Sequence, residues 1–240
     1  MTADQTPIVP PALASTLLGP PAPPSSEIAV VRLTATPSRR GRGPHTQTLT
    51  GGAWWSYDPS PDDVRLGDLR ALSHINRFGG HTLVPYSDAE HMVRVARRVR
   101  ALGGSLIVTR AALGHDAHES YPPADQLGPF LRAWSSEEAC AILGMTPAAF
   151  DGIAAIVRLA KTAVRERLGI LDVFEVPEMA RLIRHADVEL LATERRDLMA
   201  PSDVEWGPLP DPLPERIVPW SPTHAWAEWL NMLEETGGWP

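Results

Sequence analysis

The sequence contains almost no cysteine and almost no lysine. Cys140 is the one cysteine among 240 residues. An internal disulfide therefore cannot form, and a metal site built from several thiolates is excluded. Lys161 is the one lysine, so any chemistry that depends on a lysine side chain could use only this position. We expect a cytoplasmic protein whose chemistry relies on other side chains.

Long apolar runs and an excess of positive charge are also missing. No apolar stretch reaches the roughly 18 residues that a membrane-spanning helix requires, and we expect no signal peptide at the start of the chain. The formal net charge is −7, whereas binding to nucleic acid or to an anionic membrane needs a basic surface. We therefore predict no nucleic-acid partner and no membrane. A locally positive pocket for a small anion is still compatible with this charge.

Strand patterns are scarce, and helical patterns dominate from residue 62 onward. Residues 1–45 are rich in Pro, Ala and Arg and are predicted to form a mostly disordered tail, with a short strand over residues 28–34. Residues 46–240 are predicted to form one domain. We predict the all-α class, as a helical bundle with a short N-terminal strand and loop region.

Residues typical of helix ends delimit the individual helices. The spacing of Leu66, Leu69 and Leu72 predicts a first helix. Ser87 followed by Glu90 fits a capping box for a second helix. The remaining helices are predicted to begin near Thr109, Pro147, Pro177 and Pro222.

Three short segments place histidines and carboxylates on these helices: AEHMVRVA, LGHDAHE and RHADVELLATE. Each segment alone is typical of packed or solvated side chains. In combination they bring His91, His115, Asp116 and Asp187 next to apolar residues, where an ionised carboxylate is costly unless it is paired or binds a metal ion. Two imidazoles and two carboxylates suit one divalent ion such as Mn, Fe, Co, Ni or Zn.

The order of these segments resembles the HD-domain metal-dependent phosphohydrolase superfamily, in a bacterial and phage branch related to 5′-deoxynucleotidases. The resemblance implies a helical HD fold in a bacterial or phage-infected cell, with His91, His115, Asp116 and Asp187 as ligands of one divalent metal ion. It covers roughly residues 50–235 and rests on four segments: GGAWWSYDPSPDDVRLGDLRALSHINRFGGHTLVPYSDAEH, ALGHDAHESY, HADVELLATERRDLM and IVPWSP.

The resemblance also implies roles around the metal ion. Glu119, four residues after the first histidine of HD, corresponds to a glutamate near the attacking water and is a candidate general base; a solvated glutamate is the alternative. Arg77 and Phe78, in the stretch RFGGH, correspond to an Arg and an aromatic residue that contact the nucleotide. His81 either adds a phosphate contact or caps the turn. Glu194 lies on the same helical face as Asp187 and is predicted to anchor a ligand rather than to bind metal.

The sequence departs from the family after the HD pair. Relatives commonly have Gly-Asp-Ile-Pro, with the Asp nine residues after the His and a Lys soon after it. Here Asp125 comes ten residues after His115, and Leu131 stands near the expected lysine. The departure weakens the assignment of Asp125 as a catalytic residue, and it makes Arg132 the candidate replacement for the lysine in substrate binding.

Three functions are compatible with these residues. We predict a 5′-deoxynucleotidase, which converts a deoxynucleoside monophosphate to deoxynucleoside and phosphate by attack of a metal-bound water on the α-phosphorus. The alternative within the same chemistry is a deoxynucleoside triphosphate triphosphohydrolase that releases triphosphate. The alternative of another class is a catalytically silent nucleotide-binding or scaffold protein. We predict a deoxynucleotide substrate as the partner, and homo-oligomerisation stays open.

Overall fold

The computed structural model describes residues 45–122, 147–203 and 206–240, with the backbone alone over residues 147–153. Helices dominate these residues, which confirms the predicted all-α class. The predicted strand over residues 28–34 and nearly all of the predicted tail lie outside the described residues. The main helices are α1 Asp88–Ala101, α2 Leu106–Leu113, α3 Pro147–Arg167, α4 Pro177–Leu198 and α5 Pro222–Glu235.

Short elements connect the helices. Strands β1 (Thr46–Gln47) and β2 (Ala53–Trp54) pair antiparallel, with Thr46 opposite Trp54. The indole of Trp54 is fully buried and stacks on the Tyr121 ring at 4.0 Å between centroids. This contact packs the hairpin against the segment that follows the HD pair. Short 3₁₀ segments cover Pro61–Asp63, Asp68–Ser73, Arg77–Gly80, Ala117–Ser120 and Leu171–Glu175.

Helix α1 lies at the centre of the bundle. It packs against α2, α4 and α5, and its apolar side chains before Ala101 are fully buried. Burying one side chain of this size stabilises the fold by roughly 1.5–3 kcal/mol. Because α1 has neighbours on several sides, the polar residues on its packed faces, His91 among them, are also buried. The buried apolar residues of α1 are Ala89, Met92, Val93, Val95, Ala96 and Val99.

The N-terminus of α1 is capped as predicted, but the capping box is incomplete. The Ser87 hydroxyl accepts a hydrogen bond from the Glu90 N–H at 3.3 Å. The Glu90 carboxylate does not return to Ser87. It accepts from the Arg94 guanidinium at 2.7 Å and from the Trp220 N–H at 2.7 Å. The buried Glu90 therefore ties the segment before α5 to α1.

Two predicted helix boundaries are wrong. Helix α2 begins at Leu106 after Ser105, so Thr109 is buried inside the helix and does not cap it. The predicted first helix is reduced to short 3₁₀ turns, since Gly67 interrupts the segment and the Asp68 carboxylate accepts from the Thr50 N–H at 2.7 Å. The predicted starts of three helices are confirmed at Pro147, Pro177 and Pro222.

Gly114 allows the end of α2 to pack closely on the chain after α3. A Cβ atom at this position would lie 2.7 Å from side-chain carbons of both Leu168 and Ile170. The Arg110 Nε atom also donates to the Leu168 carbonyl oxygen at 2.8 Å. The HD pair follows Gly114 directly, so its position is set by this contact. Among the described residues, no helix is both long and apolar enough to cross a membrane.

Candidate metal centre

The four predicted ligands converge from three helices. His91 lies on α1, His115 and Asp116 follow the end of α2, and Asp187 lies on α4. The Asp187 Oδ1 atom is 3.3 Å from His91 Nε2 and 4.0 Å from His115 Nε2, and Asp116 Oδ2 is 3.2 Å from His115 Nε2. Ligating atoms of His91, His115 and Asp116 all lie within 4.8 Å of one another. The side chains are close enough to share one cation.

Both imidazoles are oriented through their Nδ1 atoms. His115 Nδ1 lies 2.7 Å from the Ala112 carbonyl oxygen, one of the carbonyls left without a helical partner where α2 ends. A carbonyl only accepts, so this Nδ1 carries the proton and donates. His91 Nδ1 lies 2.7 Å from Glu194 Oε1. Each ring is thereby fixed with its Nε2 atom facing the centre.

The two Nε2 atoms are buried and make no hydrogen bond of good geometry with the described residues. A buried polar atom without a partner is costly unless another group satisfies it. Imidazole nitrogens oriented by a carboxylate or a carbonyl behind the ring, with carboxylates at their side, are the usual donors to a divalent transition metal. The residues present therefore fit a metal ion, although the donor set does not select one element.

The site is closed on the histidine side and open on the carboxylate side. His91 is fully buried and His115 nearly so, whereas the side chains of Asp116 and Asp187 are 26% and 31% exposed. A ligand would therefore approach past the two aspartates. This arrangement leaves the coordination positions that face solvent available for water or substrate oxygens.

The charges of the site are strongly coupled. Burial and the Arg77 charge favour neutral His91, but the carboxylates of Glu194 and Asp187 prevail and raise the pKa of His91 to about 9. Burial opposes ionisation of Asp187, yet the two imidazoles hold its pKa below the usual range. A metal ion bound here has to displace the proton on His91, so binding releases protons.

Glu194 links the candidate ligands to the RFGGH loop. Its carboxylate is fully buried and lies 2.7 Å from His91 Nδ1 and 3.3 Å from Arg77 Nε. Burial opposes ionisation, but Arg77 and His91 hold the pKa of Glu194 below its usual range. Glu194 therefore makes the contact with a candidate ligand that its predicted anchoring role requires, and the role itself stays a prediction. Arg77 is largely occupied by this pairing, and its contact with a nucleotide stays a prediction.

The loop after Arg77 has an unusual backbone. Phe78, Gly79 and Gly80 all have positive φ, at 57°, 59° and 81°. The predicted need for glycine is confirmed, but Phe78 carries a side chain in the same region, which costs about 1–2 kcal/mol per residue. Such strain is concentrated at functional sites. The His81 N–H donates to the Phe78 carbonyl oxygen, and the His81 side chain is exposed. A phosphate contact of this side chain stays a prediction.

Aromatic and arginine side chains extend from Phe78 to a cavity. The Phe78 ring lies 5.9 Å from the Trp206 ring between centroids, and the Arg195 guanidinium lies 5.3 Å from the Trp206 ring centroid. Trp206 and Arg195 line a cavity of about 670 Å³ between α4 and the segments of residues 199–202 and 206–212. Sequence reasoning missed Trp206 because it lies in a Pro-rich loop without any periodic pattern.

A second group of polar side chains borders the metal centre. Ligating atoms of Asp116, His118 and Glu119 lie within 4.8 Å of one another, and His118 Nδ1 is buried without a hydrogen-bond partner among the described residues. Burial lowers the pKa of His118 to about 3, and the charges of Lys161 and Arg165 act in the same direction. Sequence reasoning found Glu119 but not this environment. Asp125 and Arg132 lie outside the described residues.

Comparisons with known proteins give limited information. No family model matches the sequence. Over 199 residues, the chain is 26% identical to a protein of Escherichia coli (strain K12) described as "Uncharacterized protein YfdR", and the match spans 79% of this chain and 93% of that relative. This similarity extends over most of both chains, but it assigns neither a family nor an activity.

Proposed function

We propose that the protein is a metal-dependent phosphohydrolase of deoxynucleotides, with deoxynucleoside 5′-monophosphates as the principal substrates. The observation that carries the proposal is the pair of buried Nε2 atoms of His91 and His115, which face two carboxylates at a site open to solvent. A bound divalent ion would supply a Lewis acid for the phosphoryl oxygens and lower the pKa of water.

The residues of the chain have distinct parts in this proposal. His91, His115, Asp116 and Asp187 would hold the ion. Glu119, half-buried on the turn after Asp116, would orient the attacking water and accept its proton. The new bond forms between that water oxygen and phosphorus, and the bond from phosphorus to O5′ breaks. The departing O5′ takes up a proton from solvent, and Glu119 returns to solvent the proton that it accepted. The products are deoxynucleoside and phosphate.

The nucleoside end of the substrate would lie toward Phe78 and Trp206. Both rings are partly exposed, and aromatic rings bind nucleobases of any sequence by stacking. The cavity beside Trp206 has a volume within the range of small-molecule sites. The strained backbone of Phe78 is consistent with a ring held in place for a ligand.

A triphosphohydrolase is the second candidate. One observation favours it, namely that Lys161 and Arg165 lie beside the HD pair without an ion pair to any described residue. Positive charge of this kind could bind phosphates beyond the one attacked. A silent scaffold protein would need neither these cations nor Glu119 beside the metal centre.

The test is a substrate panel on the metal-loaded full chain. Protein loaded separately with Mn²⁺, Co²⁺, Fe²⁺, Ni²⁺ or Zn²⁺ is incubated with each deoxynucleoside monophosphate and triphosphate, and deoxynucleoside, phosphate and triphosphate are quantified by chromatography. The proposal expects phosphate from the monophosphates, and Asp187→Asn serves as the inactive control. A protein that holds metal but cleaves no nucleotide would overturn the proposal and favour the scaffold.

A further inference from the structure

The C-terminal half of α3 brings two cations to the turn that follows the HD pair. Lys161 and Arg165 are one helical turn apart, so they lie on the same face of α3. This helix packs against the Ala117–Ser120 turn, and the chain that follows it contacts Gly114. Both cations act electrostatically on His118, and Arg165 also acts on Asp116.

These two cations differ from several other cationic side chains of the described residues. Arg77, Arg94, Arg98 and Arg196 each pair with a carboxylate at 3.3 Å or less. Within residues 45–122, 147–203 and 206–240, neither Lys161 nor Arg165 forms an ion pair. The carboxylates of Asp116 and Glu175 attract Arg165 electrostatically, but neither cation is neutralised by a direct ion pair with a described residue. In a chain of net charge −7, both cations are therefore available to an anionic partner beside the candidate catalytic site.

Arg165 is also oriented for a ligand. Its guanidinium carbon lies 3.6 Å from the centroid of the Phe174 ring, so the ring supports one face of the guanidinium. Its Nε atom is buried and has no hydrogen-bond partner among the described residues. When a ring packs on the face of a guanidinium, the N–H groups at its edge can still donate hydrogen bonds. Two of them can bind two phosphate oxygens at once.

The same cations argue against a second metal ion on the group formed by Asp116, His118 and Glu119. Two positive charges within electrostatic range of His118 would repel a divalent cation there. They would attract an anion that bridges the group and the metal centre. We propose that Lys161 and Arg165 form a phosphate subsite that binds the substrate's phosphate oxygens. The identity of the anion as a substrate phosphate rests on the proposed function.

The test measures anion binding without catalysis. Metal-free full-length protein is titrated with inorganic tripolyphosphate, and in parallel with inorganic phosphate, by calorimetry. The double variant Lys161→Met with Arg165→Met should lose at least about tenfold in affinity for the anion that the wild type binds, which corresponds to about 1.4 kcal/mol. Arg158→Met removes one charge from an exposed position on the same helix and should bind as the wild type does.

A second measurement keeps the two proposals apart. On any nucleotide that the wild type cleaves, Lys161→Met should raise KM with a smaller change in kcat, and Lys161→Arg should restore KM. Anion binding that depends on Lys161 and Arg165, in a protein that cleaves no nucleotide, would leave the subsite standing and overturn the proposed function. The subsite is overturned if the wild type binds neither anion or if the double variant binds both equally well.

Discussion

Glu194 Oε1 lies 2.7 Å from His91 Nδ1, and this contact joins two fully buried side chains from α4 and α1. The second carboxylate oxygen lies 3.3 Å from Arg77 Nε. One carboxylate thus orients a candidate metal ligand and fixes the start of the RFGGH loop. A change at Glu194 should therefore affect metal binding although Glu194 does not face the ion.

The first prediction concerns this carboxylate. Glu194→Gln keeps the shape of the side chain but removes the charge that orients His91 and pairs with Arg77. Metal affinity should fall by about 10–100-fold, as for other residues that support a metal-ligating histidine. Calorimetric titration with Mn²⁺ or Zn²⁺ measures the change. Glu189→Gln on the same helix, which removes a partly exposed pair with Arg98, is the matched control, and equal losses in both variants would refute the special role of Glu194.

The second prediction concerns a candidate ligand. Asp116→Asn removes a charged donor 3.2 Å from His115 Nε2. Metal content after purification and after soaking should drop sharply, and nucleotide cleavage should be lost with it. Elemental analysis of the protein gives the metal content, and circular dichroism verifies that the variant is folded. Full metal content in a folded variant would remove Asp116 from the ligand set.

The third prediction separates catalysis from metal binding. Glu119→Gln should retain the metal ion but lower kcat by about 10²–10⁴-fold, the range for loss of a general base. Steady-state kinetics on the best deoxynucleotide, together with metal analysis of the same sample, provide the measurement. Turnover at the wild-type rate would show that another group activates the water.

The fourth prediction concerns the nucleoside end. Phe78→Ala and Trp206→Ala should each raise KM by about tenfold, because loss of one stacking ring costs about 1–3 kcal/mol. The change in kcat should be smaller, since both rings are proposed to bind the nucleoside end and not the phosphate. Tyr57→Ala removes an exposed ring outside the proposed site and serves as the control. Unchanged KM values in both variants would place the base elsewhere.

The fifth prediction concerns stability. The Asp197 side chain is 3% exposed and accepts from Arg196, Arg216 and the Ile217 N–H, at 2.7, 2.6 and 2.8 Å. The Arg196 hydrogen bond, aided by Ile217 and Arg216, holds the pKa of Asp197 well below its usual range. Asp197→Asn should lower the free energy of unfolding by about 1–3 kcal/mol near pH 7.

The pH dependence of that effect has a definite sign. The native carboxyl releases its proton more readily than the unfolded one, so its contribution is complete above the unfolded pKa of about 3.9 and is lost as pH falls below it. Denaturant unfolding at pH 7, 5, 4 and 3 should show the wild type and the variant converging only at the lowest values. Glu178→Gln, in an exposed pair with Arg181, should have no effect at any pH.

Local sequence signals were sufficient for much of the fold and for the convergence of the candidate ligands. Proline and serine set helix starts at Pro177 and Pro222 because their effects are local. His91, His115 and Asp187 could be grouped because a recognisable order of segments linked them. Their distances depend on how α1, α2 and α4 pack, which no local pattern contains.

Other features could not be predicted from local patterns. Thr109 was wrongly predicted to cap α2, because threonine is common at helix caps and the sequence alone does not show that this one is buried inside the helix. Lys161 and Arg165 have the spacing of an ordinary solvated helix face, and only the packing of α3 on the HD pair distinguishes them. Trp206 reaches Phe78 across more than a hundred residues of chain, and tertiary structure alone brings these rings together.

The absence of a side chain at Gly114 limits which substitutions the protein can accept. Any larger residue there would act as a wedge between the end of α2 and the carbons of Leu168 and Ile170. The wedge would shift His115 away from the helix that carries Lys161 and Arg165. The distance between the proposed metal ion and the proposed phosphate subsite is therefore set by the close packing at Gly114. Substitutions at other positions can change the charge of the metal site or of the phosphate subsite, but they cannot readily restore this distance.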